Sequence, residues 1–435
     1  MTKRFTGGSH LLEVDTLARV EGEGAMRVVI LDGQVTLVEL RIFEPPRFFE
    51  AFLRGRAWTE PPDITARICG ICPVAYQMSS CVAIEDACGV TVPDEIRQIR
   101  RLLYCGEIIE SHALHIYLLH APDFLGYAGG IEMAADHKPV VQRGLRLKQT
   151  GNALMTLVGG RAVHPVNVRL GGFYRLPTRA QLAAMRPALV RGRDDALATV
   201  ELVAGFDFPE MEQSYEYLAL RGTDGYPLES GSKVATSGST FPVAEFGEHI
   251  TEEHVARSNA LHGRMEGDQP YVVGPLARYT LCSDQLSPLA QEAARAAGLG
   301  SECRNPFRSI IVRAVELVYA FDEALRIIDT WEGASAPAVD VPARAGEGHG
   351  VTEAPRGLLY HRYRIDADGA ILDACIVPPT AQNQASIEAD LRAFVQSRLD
   401  LPREELTRQC EQAIRNYDPC ISCATHFLDL YVDGT

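Results

Sequence analysis

Two cysteine pairs stand near opposite ends of this chain of 435 residues. Cys69 and Cys72 lie in Arg67-Ile-Cys-Gly-Ile-Cys-Pro73, and Cys420 and Cys423 lie in Asp418-Pro-Cys-Ile-Ser-Cys-Ala-Thr-His426. Four thiols in two CxxC units suffice to close one metal site. Thiolate is a soft ligand that favours zinc, copper(I), iron–sulfur or nickel-type centres over magnesium or calcium. Structural zinc ribbons separate their pairs by roughly 15–20 residues. Here most of the protein lies between them, so a shared site obliges the first and last segments to meet in the interior. A plain zinc staple is the bland alternative. The distance between the pairs, the extra potential ligand His426 and the polar flanks all count against it.

The remaining composition bounds the class. The chain is 46% hydrophobic and 23% charged, which suits a large globular core. No stretch approaches ~18 uninterrupted apolar residues, so no membrane span is expected. The start, Met1-Thr-Lys-Arg-Phe-Thr-Gly-Gly8, lacks the apolar segment of a secretory signal, and a cytoplasmic location is expected. A net charge of -15 argues against a nucleic-acid partner, whose footprint is a basic stripe. The 11 cysteines, an odd number, read as free thiols or metal ligands rather than disulfides.

Local patterns give a mainly α chain with small β-sheets (α+β), a central bundle of long helices with peripheral hairpins. Strands over 25–31 and 34–43 flank Asp32-Gly33, a strong hairpin signal. Asp63 is a candidate cap for a short helix over 64–68. Cys69 to Cys72 break it, and Pro73 starts a helix that Gly89 stops. The longest helix runs from Pro93 to about Leu119, with apolar residues at helical spacing. Further helices are expected near 137–160, 178–204, 251–264, 283–297, 304–334 and 384–417. Segments 164–177 and 335–350 read as loops, with 336–350 the most linker-like. Strands 360–365 and 370–377 form a second hairpin about Asp368-Gly369. The expected organisation is one unit over 1–435, with a β-rich segment at 11–58, a helical body at 59–334 and a C-terminal segment at 351–435.

The two cysteine motifs resemble the signatures of the large, catalytic subunit of nickel–iron hydrogenases. The likeness extends along the chain. Arg19-Val-Glu-Gly22, Ala354-Pro-Arg-Gly357 and Val377-Pro-Pro-Thr-Ala-Gln-Asn383 resemble three further family motifs. Tyr271-Val-Val-Gly-Pro-Leu-Ala-Arg-Tyr279 and Asn305-Pro-Phe-Arg-Ser-Ile310 are similar to segments of the cytoplasmic, bidirectional, NAD(P)-linked branch. The resemblance implies reversible heterolytic cleavage of H2 to protons and electrons.

What the resemblance implies for residues is specific. Cys69, Cys72, Cys420 and Cys423 would bind nickel, with Cys72 and Cys423 bridging to an iron that carries carbon monoxide and cyanide. An open position on the metals distinguishes such a site from a closed structural one. Cys420 would take the first proton and Glu21 the next. Arg356 would lie over the site, oriented by Asp418. Thr380, with Pro379 setting the backbone, would donate to a cyanide. His426, Glu50 and the carbonyl near Ile376 would hold a magnesium or iron ion.

Two positions depart from the family pattern: Glu23 and Tyr76 stand where histidines are usual. Nine residues follow His426, where family precursors carry an extension removed by a maturation protease. Spare cysteine spacing and a GxGxxG loop are both missing, so neither an iron–sulfur cluster nor a nicotinamide is expected in this chain. An iron–sulfur small subunit and flavin- and NAD(P)-binding diaphorase subunits are the expected partners. A hydrogen sensor sharing every ligand is the second reading. A quinone-binding relative is disfavoured because such proteins lack the four cysteines. His112 and His115 share a helix face but read as packed or hydrogen-bonded, and the other seven cysteines as small buried hydrophobes.

Overall fold

Asp32-Gly33 turns the chain as its dipeptide demands. In the computed structural model, which describes residues 5, 7–222, 225–229 and 231–425, strands Gly24–Leu31 and Gln34–Ile42 pair antiparallel across that turn, and Ser9–Val14 pairs with the first of them. Met26, Val28 and Ile30 alternate with more exposed neighbours, the period of a half-buried strand. This sheet packs on the helix Pro379–Gln396, whose Glu388 and Gln396 side chains accept from the Leu40 and Val35 amides at 2.9 and 2.8 Å.

The core is a bundle of long helices. Asp94–Leu114 packs on Lys138–Gly159 and on Ser309–Thr330, which in turn packs on Arg179–Ala204. Thr178 and Gln181 form a capping box at the start of the last of these. Ser309–Thr330 is buried around almost its whole circumference, as a central helix requires. The helix starting at Pro93 was expected to reach Leu119. It instead widens into a π-helix over His115–His120 before one more α-turn at Ala121–Leu125. Among the described residues no helix is long and apolar enough to cross a membrane.

Several elements differ from the sequence expectation. The 64–68 helix is two pieces, Pro61–Thr65 and a 3-10 turn Ala66–Ile68, and Asp63 sits in the first turn rather than capping it. The 251–264 segment is no helix: Ile250–His254 and Leu261–Met265 pair as strands. Its connecting turn is fixed from outside, by the Asn259 amide on the Ile42 carbonyl at 2.7 Å. Ser287 caps a shorter helix, Pro288–Ala296. The 384–417 helix is interrupted into Pro379–Gln396 and Arg403–Arg415, with Pro402 at the break. A small sheet of Leu218–Arg221, Lys233–Thr236 and Thr240–Pro242 was not foreseen.

The linker-like segment gives the largest difference. Its end is strand Gly346–Ala354, paired antiparallel with Gly357–Ile365, which pairs with Ile371–Val377. The glycines let this strand lie against the helix Pro73–Cys88. A Cβ at Gly348 would stand 2.1 Å from the Ala83 carbonyl oxygen, and one at Gly350 2.5 Å from that of Ser79. Ala354 pairs with Gly357, so Pro355 and Arg356 form the two-residue tip of this hairpin.

Candidate metal centre

Local structure explains how each cysteine is presented. The 3-10 turn Ala66–Ile68 ends in extended backbone at Cys69, and Cys72 is the residue capping the helix Pro73–Cys88. Prolines suit a first turn because its amides lack intrahelical partners. Two of those amides, Val74 and Ala75, donate to the Glu107 carboxylate at 2.6 and 3.0 Å. Glu107 reaches them from the long helix, fully buried. At the other end, Asp418 adopts a left-handed φ of 50° after the helix Arg403–Arg415. Pro419 and a short bridge between Cys420 and Glu21 follow, with the Ile421 amide on the Glu21 carbonyl at 3.0 Å. Gly22, at φ 87°, admits this approach: a Cβ there would meet the Ile421 Cβ at 2.7 Å.

The two pairs converge. The four sulfurs all lie within 4.8 Å of one another. Cys69 and Cys420 are 3.4 Å apart, Cys72 and Cys423 3.5 Å, and Cys420 and Cys423 2.9 Å. All four are free thiols and all are buried. The Cys69 sulfur accepts the Ile71 and Cys72 amides, each at 3.3 Å. Hydrogen bonds from Cys420, Cys423 and Cys72 hold its pKa well below the usual thiol range. Burial comes first in pushing Cys420 and Cys423 up. Cys72 is also raised, its bond with Cys420 opposing and those with Cys423 and Cys69 prevailing. Four sulfurs packed this closely repel one another once ionised. A buried all-sulfur donor set therefore fits a soft thiophilic metal centre, as nickel and iron offer, and does not suit magnesium or calcium.

The predicted neighbours are at hand. The Cys420 sulfur is 3.1 Å from Glu21 Oε2. The Ser422 amide donates to the same oxygen at 3.0 Å and the Ser422 hydroxyl to Oε1. Arg356 reaches back from its hairpin tip. Its Nε donates to the Asp418 carbonyl at 2.8 Å and Nη2 to the Asp418 carboxylate at 3.1 Å, while Nη1 contacts the Ser111 hydroxyl at 3.4 Å. Burial opposes the Arg356 charge, but Asp418 and the thiols Cys420, Cys72 and Cys69 outweigh it, so the guanidinium is firmly cationic. The neighbouring Arg278 secures the tip itself, donating to the Ala354 and Pro355 carbonyls at 2.8 and 3.0 Å. Thr380 accepts the Cys420 amide at 3.0 Å, leaving its own hydroxyl proton to donate. Pro379 is the first residue of its helix, which starts ahead of the expected residue 384. The Tyr76 hydroxyl is fully buried, and its pKa is raised by burial, then by Cys423 and Cys72.

A second acidic group lies at the end of strand Ile371–Val377. The Ile376 amide donates to Glu50 at 2.6 Å. Ile376 thus ties Glu50 by its N–H, which places Glu50 beside the strand whose carbonyl was the expected third ligand. Glu252, not foreseen because its segment read as helix, has a pKa raised by burial and then by Glu50. Its Oε1 is buried without a hydrogen-bond partner. A buried carboxylate oxygen without a partner, in the field of a second carboxylate, has the chemistry that a hard cation would satisfy. His426 lies outside the described residues, as does the tail after it. His112 and His115 are hydrogen-bonded, to Glu316 at 2.7 Å and the Arg415 carbonyl at 2.9 Å. Six of the other seven cysteines are buried and Cys375 is partly so.

Glu107, Ser111, Glu252 and Ser422 were not singled out from sequence. A signal existed for Glu107: a carboxylate inside the apolar stripe of the long helix needs donors, and a helix begun by Pro73 offers them.

Known proteins are similar to this chain in sequence and fold. A family model described as nickel-dependent hydrogenase matches residues 47–143 and 268–426. The sulfhydrogenase 1 subunit alpha of Pyrococcus furiosus is 35% identical over 96% of this chain and 98% of its own length. The NAD-reducing hydrogenase HoxS subunit beta of Cupriavidus necator is 27% identical, covering 97% of this chain and 95% of its own. A crystal structure of an NAD+-reducing [NiFe]-hydrogenase in the H2-reduced state superposes with a TM-score of 0.86 at 26% identity, over 96% of this chain and 99% of that one. With four sulfurs gathered from both chain ends and a match along nearly its whole length, this chain belongs to the nickel-dependent hydrogenase family, as a large, catalytic subunit.

Proposed function

We propose that Cys69, Cys72, Cys420 and Cys423 would together hold a nickel–iron centre, and that the chain works in the reversible interconversion of H2 with protons and electrons. The observation that carries this reading is the convergence of the two cysteine pairs within 4.8 Å. Bound there, a nickel–iron centre carrying carbon monoxide and cyanide supplies the redox-active, Lewis-acidic pair at which H2 is cleaved heterolytically.

The chain's own residues do the rest. Cys420 holds a proton on its sulfur and passes it to Glu21 Oε2 over 3.1 Å. The Ser422 amide and hydroxyl fix both oxygens of that acceptor. A single positioned proton carrier of this kind contributes on the order of 100-fold or more to a rate. Arg356 keeps a cation over the thiols, and Asp418 stops it from swinging away. Its burial excludes bulk water, which strengthens each of these interactions. Thr380 sets Cys420 through its backbone amide and keeps a donor for an anionic ligand such as cyanide. Tyr76 offers a second donor beside Cys423. Glu50 and Glu252, with the segment through His426, serve a magnesium or iron ion.

Electrons leave through an iron–sulfur small subunit and reach NAD(P) through flavin-containing partners in the cytoplasm. The NAD-linked relatives support this acceptor. The test is to purify the chain with its partner subunits, measure nickel and iron, record the infrared spectrum, and assay H2-dependent reduction of NAD+ and NADP+. Carbon monoxide and cyanide bands with turnover are expected. Zinc in place of nickel, with a spectrum lacking those bands, overturns the reading.

A further inference from the structure

Bringing two distant chain ends to a common depth needs a device that registers both. We infer that Arg47 is a positioning residue that latches the second cysteine segment onto the first, so that the four-sulfur site closes only when residues 422–425 are seated. The inference rests on the reading of the site as a metal centre.

Three contacts carry it. One terminal nitrogen of the Arg47 guanidinium, Nη2, donates to the Ile68 carbonyl at 2.6 Å and also to the Ser422 carbonyl. Those carbonyls belong to the peptide groups immediately before Cys69 and Cys423. The two hydrogens of one nitrogen therefore set the orientation of one peptide in each cysteine loop. The Arg47 backbone amide donates to the Thr425 carbonyl at 2.7 Å, a third tie to the same segment. Arg47 thus spans loops that lie some 350 residues apart in sequence, the separation that the Cys69–Cys420 contact also spans.

The guanidinium is itself held. It lies over the Phe49 ring at 5.6 Å. Phe48 adopts a left-handed φ of 58°, a conformation costly for a bulky residue and maintained only by surrounding structure. That bend sends Arg47 toward both cysteine loops and Glu50, in the next turn, toward the Ile376 amide. The short segment 47–50 therefore couples the cysteine cradle to the second acidic group. The two N–H bonds of a guanidinium nitrogen are fixed in one plane, so they aim at two carbonyls where the freely rotating donors of an ammonium do not.

The test compares the wild-type complex with Arg47→Ala and Arg47→Lys. Three quantities are read: nickel and iron per chain, amide hydrogen exchange of segments 66–72 and 420–425, and the thermal midpoint. A latch predicts that Arg47→Ala loses nickel on the order of 10-fold and speeds exchange at 420–425 by a similar factor, the worth of a charge-assisted hydrogen bond. Exchange in Asp94–Leu114 stays at the wild-type rate. Arg47→Lys recovers part of both. Wild-type nickel and exchange in Arg47→Ala overturn the inference. So does a uniform rise in exchange with a collapsed midpoint in both variants, which makes Arg47 a support of the whole fold. If the wild type itself carries zinc and no infrared bands, the hydrogenase reading fails, while exchange at 420–425 still decides the latch.

Discussion

Replacing Asp418 separates charge, hydrogen bonding and backbone strain at one position. Its carboxylate faces Arg356 at 3.1 Å, and the two side chains are 1% and 2% exposed. Removing one member of a buried pair leaves the other charge uncompensated, at about 3–5 kcal/mol. Asp418→Ala also places a residue with a Cβ but no polar group at φ 50°, which costs ~1–2 kcal/mol more. Asp418→Asn keeps an acceptor for Arg356 and tolerates the left-handed backbone. It loses only the charge and costs about 1–3 kcal/mol. The Arg356 bond to the 418 backbone carbonyl survives in both. A chain of 435 residues that unfolds as one unit has a melting entropy of roughly 0.9 kcal/mol/K. Asp418→Ala should therefore lower the midpoint by roughly 4–8 °C and Asp418→Asn by roughly 1–3 °C. Differential scanning fluorimetry of the purified complexes reads this directly. A shift under ~1 °C for alanine would refute the claim that the ion pair stabilises the Arg356 tip, whereas equal large shifts would assign its whole worth to the charge.

Three more outcomes are expected. Glu21→Gln keeps an acceptor for the Ser422 amide and turns the second bond into an N–H donated to the Ser422 hydroxyl, but it cannot relay a proton, so turnover should fall roughly 100-fold with nickel content unchanged; isotope exchange between D2 and water that persists at the wild-type rate removes Glu21 from the path. Gly348→Ala drives a Cβ to within 2.1 Å of the Ala83 carbonyl and 2.3 Å of the Ala87 nitrogen. It should cost more than ~3 kcal/mol by overpacking and displace the helix that carries Cys72, seen as lost nickel and soluble yield; normal yield and metal content count against that packing. Asp390 accepts from Tyr215 and Tyr417 at 2.5 and 2.6 Å, yet burial, opposed by those donors, raises its pKa to about 6. Its folded value exceeds its unfolded one, so the stability it contributes is complete below about pH 4 and lost as pH rises toward 6. Asp390→Asn should remove ~3 kcal/mol of that slope, read as the wild-type minus variant midpoint between those pH values; parallel curves contradict it. The difference is needed because buried His262, its pKa lowered to about 3 by burial and then by Arg257 and Arg264, titrates with the opposite sign.

Elements whose signal is local were legible in the sequence. Asp32-Gly33, Pro73 with Gly89, and Thr178 with Gln181 each carry their own turn or cap chemistry. The structure reproduces the hairpin and both helix starts within a residue or two. Elements fixed by remote contacts were not. The glycines of 346–350 look like a linker because their role is to leave room for the carbonyls of another helix. The strands at 250–265 carry charged residues at helical spacing, and what turns them is an amide reaching Ile42. A π-turn at 115–120 has no marker in residue type, since it keeps the apolar pattern of the helix before it.

The site divides along the same line. Its ligands could be found because chemistry restricts them to few residue types: sulfur for the metals, carboxylate for the proton, guanidinium for the lid. The groups that aim those ligands act through backbone carbonyls and amides, which every residue possesses. Glu107 holds the start of the Cys72 helix by two peptide N–H groups, Arg278 holds the Arg356 tip by two carbonyls, and Arg47 holds both cysteine loops in the same way. A side chain that recognises only backbone leaves its partner's identity free, so no motif records the pairing. Such residues are the place where substitutions far from the four cysteines should change metal retention before they change stability.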